Sequence, residues 1–410
     1  MQVAILGRQP KISLAELESI YGDKNVTLIG EFAALVKTKD QLPQARLGGT
    51  IKSAKILTRL ERTDLTGAFS YLQETIPAHL EYLPKGKLQL GVSIYGYPAK
   101  RDWLLKQMLI LKKVIKNTGQ SVRIIENKSE ALEAAQVLYN KLTGPLGWEL
   151  LLIKDGADTL IAQSTAVQDI DAYAKRDFER PMRDAFVGML PPKLAQILLN
   201  LAGGSQTLNV DSSPMTTDTQ PLPTILDPFC GTGVVLQEAL LMGLNAYGTD
   251  ISEKMVDYST KNLEWLEKQW KLKTGNWKVE LGDATKHTWD LSQTIINDQR
   301  ITIVCESYLG KPLTSLPNQQ ELDQIISEFN NVAEGFLKNI ATQIQSGSKL
   351  CIALPAWSLG NGQFKHLKLL DRLTDLGYNQ LDFVHCKKSE LIYHRPDQIV
   401  ARELTVLERI

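Results

Sequence analysis

The sequence contains few cysteines and spaces them widely. Cys230, Cys305, Cys351 and Cys386 lie at least 35 residues apart, so no CxxC pair exists. This spacing excludes zinc ribbons and thioredoxin-type redox motifs, and it favours a reducing compartment. The five histidines also lack metal-ligand spacing, so the sequence predicts no metal site.

Long apolar runs and targeting signals are absent as well. No stretch approaches the ~18 apolar residues that a transmembrane helix needs, and the first residues show neither a basic leader nor a small-residue cleavage site. We therefore expect a cytoplasmic protein without membrane contact. A hydrophobic content of 43% in 410 residues is typical of a globular protein with two or three domains. Nothing in the sequence fixes the oligomeric state, and we slightly favour a monomer.

Neither sign of charge is in excess, because 46 basic and 46 acidic side chains give a formal net charge of zero. The distribution is uneven. Residues 1–165 carry 22 basic against 16 acidic side chains, whereas residues 166–410 carry 24 against 30. The basic excess is sharpest in residues 99–117, where six cations accompany one acid. This asymmetry indicates either an anion-binding front half, as RNA would require, or a solvated helix face.

The front half divides into two small αβ units. Residues 1–60 predict a small sheet with helices on one face. Ser13 is placed to cap a helix, with Glu16 completing a capping box and Gly22 just past the helix end. Residues 61–165 predict a second unit that ends in two strands joined by an Asp-Gly hairpin turn.

The rear half predicts an α/β fold with a doubly wound parallel sheet. A connecting segment, residues 166–202, ends in an apolar helix that begins near Pro192, where proline is tolerated. A polar loop over residues 203–224 opens a third domain, residues 203–410, and a loop of that length is usually mobile or functional. Strands and helices then alternate, which indicates parallel βαβ units. The last two strands, the first of them at residues 381–386, have no helix between them and predict a terminal antiparallel hairpin.

A glycine-rich turn, Asp227-Pro-Phe-Cys-Gly-Thr-Gly233, carries the strongest chemical signal. A strand ends in an acid, glycines follow, and a helix begins near Val234, which lets backbone N–H groups approach a ligand. The turn is neither G-x-G-x-x-G nor a P-loop, so dinucleotide binding and ATP cleavage are disfavoured.

Acids also end the three strands that follow, at Asp250, Asp283 and Glu306. An acid after the second strand is suited to a ribose diol. An acid in the first turn is suited to an ammonium group, and one after the third strand to the exocyclic amine of adenine. These groups together describe S-adenosylmethionine. Helix capping explains any single acid, but it explains four in succession poorly.

At this point the residues resemble a known family. The segments Leu190-PPKLAQILLNLA, Asp227-PFCGTG, Tyr247-GTDI and Gly282-DAT resemble Rossmann-fold RNA amino-methyltransferases, and most closely the THUMP-containing tRNA guanosine-10 N2-methyltransferases. The resemblance covers residues 168–410, and it extends to the front half in layout only, as a ferredoxin-like unit followed by a THUMP-like unit. It implies methyl transfer from S-adenosylmethionine to the N2 amine of guanosine 10 in tRNA. The cofactor-binding residues that it implies are Pro192, Asp227, Phe229, Cys230, Gly231, Thr232, Gly233, Asp250, Ile251, Asp283, Ala284 and Glu306.

The loop after the fourth strand departs from the family pattern, which is Asp/Asn-Pro-Pro-Tyr/Phe. This chain has Glu306-Ser-Tyr-Leu-Gly310 instead. Glu306 can accept a hydrogen bond from an exocyclic amine and Tyr308 can stack on an extruded base, with Ser307 between them. We therefore predict that Glu306, Ser307 and Tyr308 form the catalytic loop. The missing prolines keep open the alternative of a catalytically silent RNA- or cofactor-binding module.

A second enzyme class would use the same cofactor and a similar loop. A DNA adenine or cytosine amino-methyltransferase would share the cofactor and the loop, but no long target-recognition insert interrupts the rear half. Cys230 and Cys305 are interpreted as buried fillers, because a C5-pyrimidine mechanism needs a Pro-Cys element after the fourth strand.

The predicted RNA-binding residues are Lys100, Arg101, Lys112, Lys113, Lys116, Arg176 and Arg180.

Overall fold

The computed structural model describes residues 1–184, 189–203, 223–272, 275–291, 301–310, 313 and 315–410. These residues divide into two compact units. The N-terminal unit comprises residues 1–17 and 21–172, and the C-terminal unit comprises residues 18–20 and 173–410. Most of the predicted polar loop, residues 204–222, lies outside the described residues. Within the described part, no helix combines the length and the apolar character that a membrane crossing requires.

The N-terminal unit contains a mixed sheet and flanking helices. Its strands are β1 (Gln2–Leu6), β2 (Val26–Ile29), β3 (Ala33–Val36), β4 (Thr50–Leu60), β5 (Leu88–Tyr95), β6 (Val122–Ile124), β7 (Gly147–Asp155) and β8 (Asp158–Val167). Its helices are α1 (Pro10–Tyr21), α2 (Leu65–His79), α3 (Arg101–Asn117) and α4 (Ala134–Tyr139). The strand β2 was not predicted.

These strands form one sheet in the order β2-β3-β1-β4-β8-β7-β5-β6. The strand β5 pairs in parallel with β6 and β7, and the other neighbours are antiparallel. The hairpin predicted at the Asp-Gly turn is confirmed by the β7–β8 pairing. The two front units predicted from the sequence therefore share one continuous sheet. Their assignment as ferredoxin-like and THUMP-like domains stays a prediction.

The start of α1 differs from the sequence prediction. The helix begins at Pro10 rather than after Ser13, so the predicted capping box is wrong. The Ser13 hydroxyl donates to the carbonyl oxygen of Gly49 at 2.8 Å, and the Glu16 carboxylate accepts from the backbone N–H of Gly49 at 2.8 Å. Tertiary partners thus take both side chains. The predicted end is confirmed, because Gly22 follows the helix with a φ of 81°.

The C-terminal unit is a second α/β structure. Its helices are α5 (Ile170–Phe178), α6 (Pro192–Gly203), α7 (Val234–Leu241), α8 (Glu253–Trp270) and α9 (Gln319–Ala341). Its strands are β9 (Thr224–Asp227), β10 (Asn245–Asp250), β11 (Trp277–Leu281), β12 (Thr302–Glu306), β13 (Lys349–Gly360), β14 (Gln363–Lys365), β15 (Tyr378–Gln380), β16 (Ile392–Tyr393) and β17 (Val400–Arg409).

The main sheet of this unit has the order β11-β10-β9-β12-β13-β17-β15. The first five strands are parallel, as predicted, and β17 runs antiparallel between β13 and β15. The predicted strand at residues 381–386 is wrong, because that segment contains no strand and β15 ends before it. Between β13 and β15 the described residues form a short 3-10 helix, Lys368–Arg372, in place of the predicted α-helix.

The core of the C-terminal unit lies between α9 and the sheet. Phe336 and Ile340 of α9 pack with Ile303 of β12 and Leu350 of β13, all of them buried. Because β9, β10, β11 and β12 are parallel neighbours, their carboxyl ends meet at one edge of the sheet. The acids that follow these strands are therefore brought together.

Candidate active site

A cavity of about 630 Å³ opens at the carboxyl ends of β9, β10, β11 and β12. Of the fourteen residues predicted for cofactor binding and catalysis, twelve line this cavity and two do not. The lining residues are Asp227, Phe229, Cys230, Gly231, Thr232, Asp250, Ile251, Asp283, Ala284, Glu306, Ser307 and Tyr308. Pro192 begins α6 as predicted, and it is buried, but it does not line the cavity. Leu190 lines the cavity in its place. Gly233 also lies behind the wall.

The glycine-rich turn shapes one wall of this cavity. The Cys230 N–H donates to the carbonyl oxygen of Thr249 at 2.9 Å, which fastens the turn to β10. Gly231 and Gly233 have φ values of 52° and 83°, a conformation that favours glycine. A Cβ atom on Gly233 would lie 3.1 Å from the Ser259 hydroxyl. Gly233 therefore supports the wall by close packing.

Asp227 lies deepest among the acids. It is 2% exposed and accepts one hydrogen bond, from the Phe229 N–H at 3.1 Å. Burial raises the pKa of Asp227 well above its ordinary range, and the nearby charges of Asp250 and Glu306 raise it further. No cationic side chain in the described residues pairs with it. Within the described residues, this buried carboxyl group therefore has no cationic partner.

Asp250 is held by the backbone on both oxygens. Oδ2 accepts from the Gly231 N–H and Oδ1 from the Ser252 N–H, each at 2.9 Å. Burial raises its pKa, and these two donors oppose the effect. An ionised carboxylate has about four lone-pair sites. Asp250 can therefore accept further hydrogen bonds from a ligand diol.

Asp283 has a different environment. It accepts from the Thr285 hydroxyl at 2.7 Å and the Thr285 N–H at 3.0 Å, and it pairs with Lys286 at 3.1 Å. The hydroxyl of Thr285 is the main cause of a lowered pKa for Asp283. Asp283 is therefore ionised across the neutral range, and its pKa is shifted in the opposite direction from that of Asp227.

Glu306, at the end of β12, pairs with Arg402 of β17. The Arg402 Nε–H donates to Oε1 of Glu306. Their side chains are 15% and 9% exposed, and Glu306 alone of the two lines the cavity. Arg402 was not predicted from the sequence. It lies 96 positions from Glu306, in a strand that carried no local functional signal.

The loop after Glu306 is anchored without prolines. Both the N–H and the hydroxyl of Ser307 donate to the carbonyl oxygen of Ala353, at 3.0 and 3.2 Å. Ser307 therefore anchors the loop on β13, and its predicted catalytic role stays a prediction. Gly310 adopts a φ of 76°, and a Cβ there would lie 2.7 Å from the Phe329 ring. This turn keeps the loop tight.

Tyr308 presents an aromatic face at the cavity rim. It is 54% exposed and stacks on Phe329, with ring centroids 5.2 Å apart and planes inclined by 21°. Phe329 in turn packs edge-on against the buried Trp357. The ring of Tyr308 is thus supported from below and open to a ligand above.

The cysteines near the cavity are chemically quiet. Burial raises the pKa of both Cys230 and Cys305 well above the ordinary thiol range. Because the thiolate is the nucleophilic form, neither thiol is suited to covalent catalysis. Among the described residues, no cluster of three or more His, Cys, Asp or Glu side chains is arranged to hold a metal ion.

Two predicted RNA-binding residues are placed differently from the prediction. Arg176 is buried, pairs with Glu238 at 2.8 Å and stacks on the Tyr173 ring. The Arg180 side chain is fully buried, 3.8 Å from Asp177. Neither guanidinium is accessible to a phosphate, so their assignment as RNA contacts is wrong. Their spacing along the sequence gave no sign that α5 and the residues just after it would turn them inward.

The predicted cations on α3 do face solvent. Lys113 and Lys116 are exposed and Lys112 is half-buried, and these three lysines are called the α3 lysines below. Lys100 and Arg101, at the start of α3, are also exposed, although Arg101 pairs with Glu126 at 2.7 Å. The helix buries its opposite side through Leu104, Met108, Leu111 and Ile115, as the sequence predicted.

Comparison with known proteins finds similarity in part of the C-terminal unit. Residues 212–329 match the family model described as an RMKL-like methyltransferase domain. A tRNA (guanine(10)-N2)-dimethyltransferase of Pyrococcus abyssi is 38% identical over 112 residues, which are 27% of this chain and 25% of that protein. The corresponding protein of Methanothermobacter thermautotrophicus is 37% identical over 89 residues, 22% of this chain and 21% of that protein. The chain therefore spans a quarter or less of the length of these curated relatives.

The fold has a solved counterpart over its full length. The crystal structure of TrmN from Thermus thermophilus superposes with a TM-score of 0.50 and 16% identity, covering 100% of this chain and 99% of that one. This similarity confirms the predicted α/β fold class. The family match and the curated relatives confirm the predicted resemblance to methyltransferases over this part of the chain. Residues 212–329 of this chain thus match the RMKL-like methyltransferase domain model, over less than a third of the chain.

Proposed function

We propose that the protein is an S-adenosylmethionine-dependent tRNA methyltransferase that modifies the exocyclic N2 amine of guanosine, at position 10 by analogy with its curated relatives. The observation that carries the proposal is the pairing of an acidic acceptor, Glu306, with an exposed aromatic ring, Tyr308, at the rim of the cavity. An exocyclic amine on a flat base needs both groups.

The cavity fits the cofactor in size and charge. Its volume of about 630 Å³ lies within the ordinary range for small-molecule sites. Asp227 would hold the ammonium group, Asp250 the ribose diol and Asp283 the adenine amine. The bound cofactor supplies an electrophilic methyl group on a sulfonium. The backbone of the glycine-rich turn around Gly231 would lie against the methionine moiety.

The residues of the catalytic loop would act on the methyl acceptor. Tyr308 would stack on the extruded guanine and hold its amine near the cavity. Glu306 would accept a hydrogen bond from that amine, orienting the nitrogen lone pair for in-line attack. As the nitrogen becomes cationic, the carboxylate stabilises it and is placed to take the proton.

The N-terminal unit would hold the RNA. The α3 lysines form an exposed cationic face that would contact phosphates. We retain the predicted ferredoxin-like domain (residues 1–60) and THUMP-like domain (residues 61–165) as parts of this proposal. All four cysteines are buried, and Cys230, Cys305 and Cys351 form no disulfide, which supports a reducing, cytoplasmic location.

Methylation of tRNA transcripts by purified protein tests the proposal. We expect the wild type to form N2-methylguanosine, detected by nucleoside mass spectrometry. Glu306→Gln should lower turnover about 100-fold, whereas Glu321→Gln, an exposed position in α9, should leave it unchanged. Tyr308→Ala should weaken RNA capture by about 1–3 kcal/mol, and Tyr308→Phe should preserve it. A wild type that binds the cofactor but methylates no tRNA would support the silent module instead.

A further inference from the structure

We propose that Arg402 is a positioning residue that holds one oxygen of Glu306 and so directs the other oxygen at the exocyclic amine of the methyl acceptor. The inference rests on the proposed function and extends it to β17, the strand on the far side of β13. It also explains how Glu306 is held in position in a loop that has no prolines to fix its backbone.

The topology requires a long side chain for this contact. Glu306 of β12 is in register with Ala353 of β13, and Arg402 of β17 is in register with Pro355 of β13. Neighbouring strands lie about 4.8 Å apart, so β12 and β17 are roughly 10 Å apart across β13. An arginine can cross much of that distance, and it reaches Glu306 from outside the cavity.

The contact treats the two carboxylate oxygens differently. The Arg402 Nε–H donates to Oε1, and no side chain or backbone group in the described residues donates to Oε2. Because Glu306 lines the cavity, the unengaged oxygen is the one available to a ligand. Fixing Oε1 therefore fixes the direction of the remaining lone pairs.

Arg402 also compensates charge where charge is crowded. Asp227, Asp250 and Glu306 lie close enough for the charges of the last two to raise the pKa of Asp227. Without Arg402, Glu306 would be repelled by its neighbours and free to change rotamer. With Arg402, it is held by a charge-assisted hydrogen bond, which is stronger than a neutral one.

A double-mutant cycle tests the inference. We would measure kcat and KM for tRNA methylation in the wild type, Arg402→Gln, Glu306→Gln and the double variant. Arg402→Gln should lower kcat by about 10- to 100-fold with little change in KM. In the Glu306→Gln background the same change should add almost nothing, because Arg402 acts through Glu306. Arg402→Lys should recover much of the loss, since Lys restores a cation near Oε1.

A binding measurement gives a readout that does not depend on turnover. Inosine lacks the exocyclic amine, so wild-type protein should bind a transcript with inosine at the target position about tenfold more weakly than one with guanosine. Arg402→Gln and Glu306→Gln should both lose this discrimination. The double variant removes both charges and should fold even if Arg402→Gln leaves Glu306 unpaired, which thermal unfolding would verify.

The possible outcomes separate the inference from the proposed function. If the wild type is active but the two substitutions have multiplicative effects, or if Arg402→Gln leaves kcat and the guanosine preference intact, the positioning role is refuted and the proposed function stands. If the wild type transfers no methyl group to tRNA, the proposed function fails and the inference fails with it.

Discussion

The binding of S-adenosylmethionine should release protons, because Asp227 carries a raised pKa in the free protein. Burial and the neighbouring charges of Asp250 and Glu306 favour its protonated form. A cationic ligand favours the ionised form, so binding expels the proton and affinity rises with pH. For one proton the rise approaches tenfold per pH unit below the raised pKa. Below about pH 7 the amino group of the cofactor is itself fully charged. In that range the pH dependence of cofactor affinity therefore comes from titrating groups of the protein.

Calorimetry in two buffers of different ionisation enthalpy counts the protons released. Asp227→Asn should release fewer, with a remainder from Asp250, whose pKa burial also raises. Asp283→Asn is the matched control, because Asp283 lines the same cavity but has a lowered pKa and is already ionised. Its substitution should leave the proton count unchanged. Release that is absent in the wild type, or unchanged in Asp227→Asn, would refute the placement of the cation beside Asp227.

Three further predictions concern other parts of the chain. Asp250→Ala should lower cofactor affinity by about ten- to a hundredfold in calorimetry, and it should also reduce stability because two backbone N–H groups lose their acceptor. Replacing the α3 lysines by Gln should flatten the salt dependence of tRNA binding without affecting cofactor affinity. Gly310→Ala should destabilise the protein to chemical denaturation by about 1–3 kcal/mol, since its φ is positive and its Cβ would strike Phe329.

The sheet edge was predictable because local patterns determine it. A strand, an acid and a glycine turn are adjacent in sequence, and parallel neighbours bring such ends together whatever the loops between them. Asp227, Asp250, Asp283 and Glu306 could therefore be assigned to one cavity, and all four line it. The basic helix was predictable for the same reason, since its apolar stripe has the helical period.

Contacts between distant segments were not predictable. The pairing of Arg402 with Glu306 depends on β17 entering the sheet beside β13, and a single sequence contains no signal for that partner. Likewise, a run of cations does not reveal that Arg176 meets Glu238 in the interior. Ser13 is a residue type that often caps helices, but its hydroxyl donates to the carbonyl oxygen of Gly49 instead. In each case tertiary structure overrides a local preference.

Charge compensation distinguishes acids that look alike in the sequence. Arg402 pairs with Glu306 and Lys286 pairs with Asp283, whereas no described residue offers a cation to Asp227 or Asp250. Ionising the buried Asp227 next to the half-buried Asp250 without a counter-charge is costly to the free protein. The cofactor carries positive charge on its sulfonium and on its ammonium group, so binding relieves part of that cost. Under the proposed function, Asp227 and Asp250 would contribute to affinity for the cationic cofactor, and Glu306 would be left to act on the substrate amine.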